Sequence, residues 1–568
     1  MDMMKTLLYK KKLVQVVALL AALALLAGCG YSGGGVSQGN KWSDKALSYK
    51  DAVEEVSVLA DRLDVTKREP KLDLSATDTA TDAALADIDT FPIVVQGRGD
   101  IDLEIAAATE LSADAPDDWL TVIANRFNKA GYKVGNQTVS VSVRKITSGE
   151  VLTYMTDGNY RPELYIPSNY AWGKMLAAKG IEVTKLADRI AGNTAGILMS
   201  KDKYNAYTEK HGDVTVSGIL DAALAGELVF AYTNPYTSST GLNILTAMLY
   251  AFDPEDPLSA KASSKLLAYQ ENAPTAAYTT AVLRQAAAKG IIDAMVMEEQ
   301  AYVNTPELRS YVYTPAGIRH DHPVYTFGYV SDAEREAAKL FVDYCFSNES
   351  QKAASDRGFN LHDDYAGEDT GLDGAGYLAA QQVWKTNKNG GKPVVAVFVA
   401  DTSGSMSGTP LRSLKESLVA ASSYIGTDNY IGLVSYNDNV EIDLPIGKFD
   451  NTQRSYFSGA VKGLSSGGGT ATYDAVAVAL TMLLDKAKEV PDASLLLFVL
   501  SDGEQNKGYK LERVAPIIAG LKIPVYTIGY NADGTELGEL SEINEASLIN
   551  ADSDNVVNEL RNLFNVNM

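Results

Sequence analysis

Oxygen-bearing side chains follow an apolar run at residues 394–406, "VVAVFVADTSGSM". Seven apolar residues end at Asp401, and Ser403 and Ser405 follow at alternate positions. Alternate side chains of an extended turn point the same way, and Gly404 permits a tight path there. The spacing therefore predicts one carboxylate and two hydroxyls directed towards one point.

Two further segments add the same kind of group. Thr470 lies in the Gly-rich "GGGTATYD", which leads into a long helical pattern, and Asp502 ends the apolar strand pattern "LLLFVLSD". Parallel strands end at one edge of their sheet, where ligands bind, so these groups should share one crevice. Oxygen ligands without His or Cys suit a hard cation, Mg²⁺ or alternatively Ca²⁺ or Mn²⁺. Thr472, two residues on, can substitute for Thr470.

The elements that position these groups alternate between strand and helix. Near-continuous apolar strands between amphipathic helices predict a doubly wound, mostly parallel sheet that is covered on both faces. The predicted strands are 394–400, 429–437, 439–445, 493–504 and 523–530, and the predicted helices are 413–425, 509–519, 535–545 and 553–566. Residues 467–489 are predicted to form a loop followed by a long helix.

This constellation resembles the von Willebrand factor type A domain with its metal-ion-dependent adhesion site. The Asp-x-Ser-x-Ser motif of the family falls on Asp401, Ser403 and Ser405, its distant Thr on Thr470, and its later Asp on Asp502. The resemblance implies a Mg²⁺ with an open coordination position, which an acidic side chain of a protein partner fills. That chemistry is recognition.

The residues support an enzymatic function less well than they support recognition. Haloacid-dehalogenase-type phosphatases also begin with an apolar strand ending in Asp, but they need a second Asp where this chain has Ser403. None of the four histidines lies in the last domain, and no nucleophile–base pair is visible. His320 and His322 flank Asp321, but two His at alternate loop positions are usually not a metal pair. We predict a protein that is not an enzyme.

Residues 91–362 contain a second series of strand and helix patterns. Strand patterns at 102–110, 139–146, 162–169 and 195–202 alternate with helices, which argues for α/β architecture with ligand loops at strand ends. In the segment 117–131, Leu120, Ile123, Ala124 and Phe127 form one helical face, and Gly131 is a stop signal.

Three pieces, "DDWLTVIANRFNKAG", "NPYTSSTGLNIL" and "EREAAKLFVDYCFSNESQKAASDRGFN", resemble type 2 periplasmic solute-binding proteins. The resemblance implies two hinged α/β lobes that close on a ligand. The hydroxyls before the helix near Gly241 could bind an anion or a carboxylate; alternatively, they only cap the amino terminus of that helix. Glu110 would repel a bare anion, so the charge of the ligand stays open. The candidate cleft residues are Thr109, Glu110, Ser168, Asn169, Ser238, Ser239 and Thr240.

The amino-terminal sequence has the features of a targeting segment. Four Lys precede an apolar run, 13–27, which is too short for a comfortable membrane span and ends in "LAGC". This sequence resembles the lipobox of bacterial lipoproteins, in which Cys29 is diacylated and becomes the mature amino terminus. The alternative is an ordinary signal peptide or an anchor helix with an incidental cysteine. We therefore predict an exported protein that is lipid-anchored to the bacterial cell membrane.

Composition and linkers complete the domain map. A net charge of −22 disfavours nucleic acid as a partner. The map comprises a signal peptide (1–28), the lipidated Cys with a flexible tether (29–90), a solute-binding-like domain (91–362), a linker (363–391) and a type A domain (392–568). Within the tether, residues 43–64 suit a short helix and residues 65–90 a weakly structured spacer. Two functions follow: metal-dependent adhesion to a protein partner, or alternatively solute capture for uptake or sensing.

Overall fold

The computed structural model describes residues 42, 45–73, 85, 87–112, 118–271, 283–284, 287, 292–503, 505–530, 535–543, 548–551, 560, 563–564 and 568. The predicted signal peptide and Cys29 lie outside these residues, as does most of the predicted helix 553–566. Within the described part of the chain, none of the helices combines the length and the apolar composition that a membrane span requires.

The chain forms two compact units. The central unit is Asp87–Gly390, and the flanking unit combines the described residues of Met1–Ala86 with Gly391–Met568. Both units are built on open sheets with helices. The predicted α/β fold class is therefore confirmed.

An amino-terminal helix belongs to the flanking unit. Helix α1 (Tyr49–Ala60) begins after Ser48, whose hydroxyl accepts a hydrogen bond from the first turn. Its buried residues recur every three to four positions and join the same apolar core as the long helix Thr472–Glu489. These residues are Ala52, Val56 and Leu59.

A short strand follows the helix and extends the sheet of the flanking unit. Strand β1 (Val65–Lys67) pairs in parallel with Val440–Lys448, with Val65 opposite Val440. The sequence predicts a flexible tether and spacer here, but residues 45–73 take part in the core and the sheet. A strand of three residues, of which only Val65 is partly buried, has no pattern that predicts it from the sequence. It forms because the edge of the sheet supplies a pairing partner.

The central unit contains two sheets. The strands are β2 (Ile93–Val95), β3 (Ile101–Ala107), β4 (Lys133–Val134), β5 (Gln137–Lys145), β6 (Leu164–Ile166), β7 (Val183–Ala187), β8 (Thr194–Ser200), β9 (Phe230–Ala231), β10 (Ala294–Glu298), β11 (Tyr311–Arg319) and β12 (Val324–Phe327). The first lobe has the order β2-β5-β3-β6-β12-β7, with β4 beside β5, and the second has β11-β8-β10-β9. The chain therefore crosses between the lobes at residues 188–193 and 320–323.

Helices cover these sheets. The described helices are α2 (Trp119–Ala130), α3 (Ser148–Thr156), α4 (Ala171–Ala178), α5 (Lys201–His211), α6 (Val216–Leu224), α7 (Ser239–Phe252), α8 (Ala260–Gln270), α9 (Glu299–Val303), α10 (Asp332–Cys345), α11 (Asn348–Ser355) and α12 (Gly374–Asn387). The predicted helix at 117–131 is confirmed: its apolar face is buried, and Gly131 ends it with a φ of 71°. Phe127 packs edge-on against Phe341 of α10, with ring centroids 5.2 Å apart.

Helix α12 lies in the segment that the sequence predicts to be a linker. The prediction allows a short helix, whereas the structure has 14 residues with a buried face. Tyr377 and Trp384 are both fully buried. The polar residues on either side of "LAAQQVW" dominate the local composition, but the helix is stabilised by contacts with distant parts of the central unit.

The rest of the flanking unit is the predicted doubly wound sheet. Its strands are β13 (Val394–Asp401), β14 (Tyr430–Tyr436), β15 (Val440–Lys448), β16 (Ser494–Ser501), β17 (Val525–Tyr530) and β18 (Leu548–Ala551), and its helices are α13 (Thr409–Ala421), α14 (Asn451–Gly463), α15 (Thr472–Glu489), α16 (Leu511–Leu521) and α17 (Thr535–Glu542). The strand order is β1-β15-β14-β13-β16-β17-β18, and the pairing of β14 with β15 is antiparallel. Every residue of β13 is buried, and apolar clusters lie on both faces of the sheet.

Candidate metal centre and ligand cleft

The carboxyl edge of the flanking sheet brings the ends of β13 and β16 together. Ser403 Oγ and Ser405 Oγ are 3.0 Å apart, and the Ser405 hydroxyl donates to Asp502 Oδ1 at 2.9 Å. Asp401 ends β13, and its Oδ1 accepts from the backbone N–H of Ser403 at 2.8 Å. The structure thus links these four predicted site residues in one short network.

Asp401 is the buried end of this network. Its side chain has no exposed surface, and its Oδ2 accepts from the hydroxyl of Ser501. Burial raises the pKa of the Asp401 carboxyl, and the nearby charge of Asp502 adds to this rise. Burial also raises the pKa of the Asp502 carboxyl. The role of Ser501 has no signal in the sequence, since a serine beside Asp502 has no pattern of its own.

The Gly-rich loop lies against the turn that carries the serines. Gly467 N donates to Thr402 O at 2.8 Å, and Gly404 N donates to Gly468 O at 3.0 Å. Gly468 has a φ of 83°, and a Cβ there would lie 2.5 Å from a carboxylate oxygen of Asp438. The loop therefore requires glycine for this close approach.

Thr470 follows the loop and is buried. Its hydroxyl accepts from Asn506 Nδ2 at 3.4 Å, and its N–H donates to Asn506 Oδ1 at 2.9 Å. Thr472 lies in the first turn of α15, and its hydroxyl donates to Tyr436 OH at 3.3 Å. The two threonines thus have different partners.

The donor set fits a hard divalent cation. It consists of carboxylate and hydroxyl oxygens, which Mg²⁺ and Ca²⁺ prefer. Across the described ranges, no cluster of three or more His, Cys, Asp or Glu has metal-binding geometry. The candidate set contains only two such residues, Asp401 and Asp502, and hydroxyls make up the remainder. A cation beside Asp401 would offset the cost of ionising that buried carboxyl.

The central unit has a second polar cluster where the chain crosses between its lobes. Glu110 follows β3, and its Oε1 lies 3.1 Å from His322 Nε2. His322 Nδ1 lies 2.8 Å from Ala191 O, which can only accept, so both ring nitrogens donate and the imidazole is charged. Burial alone raises the pKa of Glu110, but the hydrogen bond and charge of His322 outweigh it and lower the pKa to about 2. Ser168 also donates to this carboxylate.

His320 has a different protonation pattern. Its Nδ1 lies 2.8 Å from Glu298 Oε1, and its Nε2 lies 3.2 Å from Asn169 Nδ2 and 3.3 Å from Asn243 Nδ2. The Asn243 amide is oriented by Ile318, to whose carbonyl its Nδ2 also donates. His320 therefore donates from Nδ1 to Glu298 and accepts at Nε2 from the two amides.

Glu298 ends β10 in the second lobe. Burial raises the pKa of its carboxyl, and the charge of Glu110 raises it further. Thr240 Oγ1 donates to Glu298 Oε1 at 3.4 Å, and Asn193 Nδ2 donates to Oε2 at 3.0 Å. Of the predicted cleft residues, Glu110, Ser168, Asn169 and Thr240 thus belong to this cluster.

The other predicted cleft residues have partners outside this cluster. Ser238 caps α7 by accepting from Gly241 N, which is the plain-cap alternative, and Ser239 Oγ accepts from Trp172 Nε1 at 2.9 Å. Thr109 is half-buried in the turn after β3. His320 and His322 stand at alternate positions of a predicted loop, but both are fully buried at the crossover. Asp321 faces Arg319 at 2.9 Å rather than either imidazole.

The two lobes touch at the ends of their helices. Gly149 N, in the first turn of α3, donates to Thr237 O at 3.4 Å. A Cβ on Gly149 would lie 2.0 Å from Tyr236 O, so only glycine allows this approach. Trp172 of the first lobe and Ser239 of the second form a further contact. The lobes are closed against each other in this structure.

Two family models match the chain. Residues 109–360 match the model described as bacterial extracellular solute-binding protein, and residues 396–564 match the von Willebrand factor type A domain. No curated protein matches this chain in sequence.

Solved structures resemble the two parts separately. A von Willebrand factor type A protein from Catenulispora acidiphila is 21% identical over 31% of this chain and 42% of its own, with a TM-score of 0.28. The sulfate-binding protein SubI from Mycobacterium tuberculosis is 14% identical over 50% of this chain and 91% of its own, with a TM-score of 0.35. Iron-bound HitA from Pseudomonas aeruginosa is 15% identical over 51% and 99%, with a TM-score of 0.36. All three TM-scores lie below 0.5.

Proposed function

Since the chain joins a bacterial extracellular solute-binding domain to a von Willebrand factor type A domain, we propose that it is an exported, lipid-anchored adhesion or assembly protein. Its type A domain binds a protein partner through a divalent cation, and its solute-binding domain captures a small ligand. It acts by binding and not by catalysis.

The observation that carries this proposal is the network at the carboxyl edge of the flanking sheet. Asp401, Ser403, Ser405 and Asp502 come from two chain segments and meet within hydrogen-bond distance. Together with Thr470 they are the residues that would hold Mg²⁺, with Ca²⁺ or Mn²⁺ as alternatives. When bound, the cation offers an open coordination position to an acidic side chain of the partner.

The burial of these residues suits recognition at a surface. Asp401 and Ser403 are buried, whereas Ser405 is exposed and Asp502 is half-buried. The network therefore runs from the interior to the surface, and its outer end is accessible to a partner. All four histidines of the chain lie between residues 211 and 362, outside the flanking unit, so this site has no imidazole base.

A magnesium titration of the full chain by calorimetry tests the proposal. Asp401→Ala removes the buried carboxylate and should abolish Mg²⁺ binding, while Asp485→Ala removes an exposed carboxylate of α15 and should not change it. Equal affinity in wild type and Asp401→Ala would show that the cation binds elsewhere. If Asp401→Ala fails to fold, the exposed Ser405→Ala serves as the binding-site variant.

Solute capture for uptake or sensing is the second candidate function. The family match and the buried cluster around His320 and His322 favour it, because a polar cluster between two lobes offers hydrogen bonds to a ligand. Native mass spectrometry of the purified chain tests it. A bound small molecule that is lost in Asn169→Ala supports capture, and a ligand retained by a fragment lacking the central unit would contradict it.

Lipid anchoring rests on the "LAGC" motif alone. Cys29→Ser removes the thiol that would be acylated and should move the protein from the membrane fraction to the soluble fraction. Ser32→Ala, three residues later, is the matched control and should stay with the membrane. Retention of Cys29→Ser at the membrane would mean that a different segment holds the protein there.

A further inference from the structure

Helix α12 is fastened to the first lobe at its amino-terminal end. A Cβ on Gly374 would lie 2.0 Å from the carbonyl oxygen of Lys174 in α4, so the two helices are in close backbone contact. The ammonium of Lys174 donates to Leu372 O at 3.1 Å, just before α12. Tyr170, next to α4, donates to Asp369 Oδ1 at 3.3 Å. The helix and the segment before it are therefore held to the first lobe at several points.

The carboxy-terminal half of α12 contacts the second lobe. Gln381 Nε2 donates to Pro235 O at 2.9 Å, and Trp384 Nε1 donates to Tyr232 OH at 2.9 Å. Both acceptors lie between β9 and α7, in the segment that also carries Ser238. Asn387 Nδ2 donates to Ser263 Oγ of α8 at 3.2 Å. This half of the helix depends on side-chain hydrogen bonds.

Both sets of contacts require the lobes to be closed. The lobes meet where Gly149 N donates to Thr237 O, two residues beyond Pro235. Rotation of one lobe about the crossovers 188–193 and 320–323 would move the Tyr232–Pro235 segment away from α4. A helix that spans the two cannot keep its contacts with both after such a rotation.

We propose that α12 is a strap that holds the two lobes closed, and that the cleft opens only when the carboxy-terminal half of the strap leaves the second lobe. The amino-terminal half stays, because its backbone contact with Lys174 and the bonds of residues 369–372 do not involve the second lobe. Residues 388–393 connect the strap to β13, which ends at Asp401.

Hydrogen exchange of the full chain, followed by mass spectrometry, tests the strap. Gln381→Ala removes the bond to Pro235, and Trp384→Phe keeps an aromatic ring but removes the bond to Tyr232. Gln382→Ala is the matched control, because Gln382 is exposed on the other face of the same helix. Each strap variant should speed exchange at Gly149 by about fivefold, the change expected for one lost hydrogen bond.

Exchange at Gly149 distinguishes separation of the two lobes from a local change confined to α12. Gly149 belongs to α3 and has no contact with α12 among the bonds described above, so faster exchange there reports separation of the lobes. Faster exchange confined to α12 would overturn the proposal, as would equal effects of Gln381→Ala and Gln382→Ala. If Trp384→Phe speeds exchange throughout the central unit, the proposal is tested by comparing exchange at Gly149 in Gln381→Ala and Gln382→Ala.

Discussion

Arg68 of the amino-terminal segment pairs with Asp443, a carboxylate buried in β15, with Nη1 and Oδ1 3.3 Å apart. The same guanidinium also pairs with Glu441 of that strand. The two partners are far apart in sequence, and the whole central unit lies between them in the chain. The pair therefore ties the start of the chain to a domain that resumes only at residue 391.

Loss of this arginine should destabilise the flanking unit. Arg68→Ala leaves Asp443 buried without its cationic partner, and we expect a loss of about 1–2 kcal/mol, reduced from a fully buried pair because Arg68 is 39% exposed. Urea unfolding measures it. Arg62→Ala, an exposed arginine six residues earlier, should have little effect; equal losses would mean that the ion pair does not stabilise the unit.

The same carboxylate predicts a dependence of stability on pH. Burial raises the pKa of Asp443 to about 6, from an ordinary value of 3.8. A raised pKa in the folded state means that the contribution of Asp443 is full below about pH 4 and is lost as pH rises through about 6, by on the order of 3 kcal/mol. Asp443→Asn should flatten this slope in urea unfolding at pH 4 and 7. An unchanged slope would assign the effect to other groups.

A glycine of α14 makes room for the amino-terminal segment. A Cβ on Gly459 would lie 1.9 Å from Lys71 O, whereas a Cβ on Gly463 would meet nothing within 4 Å. Gly459→Ala should displace residues 71–73 and speed tryptic cleavage after Lys71. Gly463→Ala should leave cleavage unchanged and favour the helix by up to about 1 kcal/mol. Slow cleavage in both variants would contradict the contact.

Ser501 should act as a positioning residue for the metal site. Its hydroxyl donates to Asp401 Oδ2, so Ser501→Ala frees the carboxylate to rotate. We expect Mg²⁺ to bind about tenfold more weakly, with the fold intact. Ser494→Ala, at the exposed other end of β16, is the control for calorimetry. Unchanged affinity in Ser501→Ala would show that other contacts orient Asp401.

The Glu110–His322 pair should stabilise the central unit in a window of pH. Burial lowers the pKa of His322, but its bond with Glu110 outweighs this and raises the pKa above 6.5, so that contribution is lost as pH rises beyond 6.5. The pKa of Glu110 is lowered from 4.5 to about 2, so its contribution is lost as pH falls below 4.5. The two contributions coincide between about pH 4.5 and 6.5.

His322→Gln should remove this dependence, and His211→Gln, a partly exposed histidine on α5, should not. The stability of the central unit is measured by hydrogen exchange of its buried amides from pH 5 to 8, with the exchange rates corrected for the intrinsic effect of pH. Parallel profiles for wild type and His322→Gln would show that the pair is not the source.

Local patterns were sufficient to predict the sheet of the flanking unit and the elements that carry its candidate site. Strand β13 is buried throughout and β16 over its last six residues, so their sequences differ sharply from the polar turns that follow them. The ends of parallel strands meet at one edge whatever the details of packing. The approach of Asp401 and Asp502 could therefore be predicted from strand order alone.

Contacts between residues that are distant in sequence determine the elements and site residues that local patterns do not predict. Strand β1 has three residues and becomes a strand because β15 offers a free edge, and α12 is a strap because Tyr232 and Pro235 accept its side-chain bonds. The roles of Ser501 and of His320 and His322 follow from partners that are distant in sequence. Periodicity reports which face of an element is buried, but it carries no information on which distant residue that face meets. Only the tertiary structure supplies those pairs.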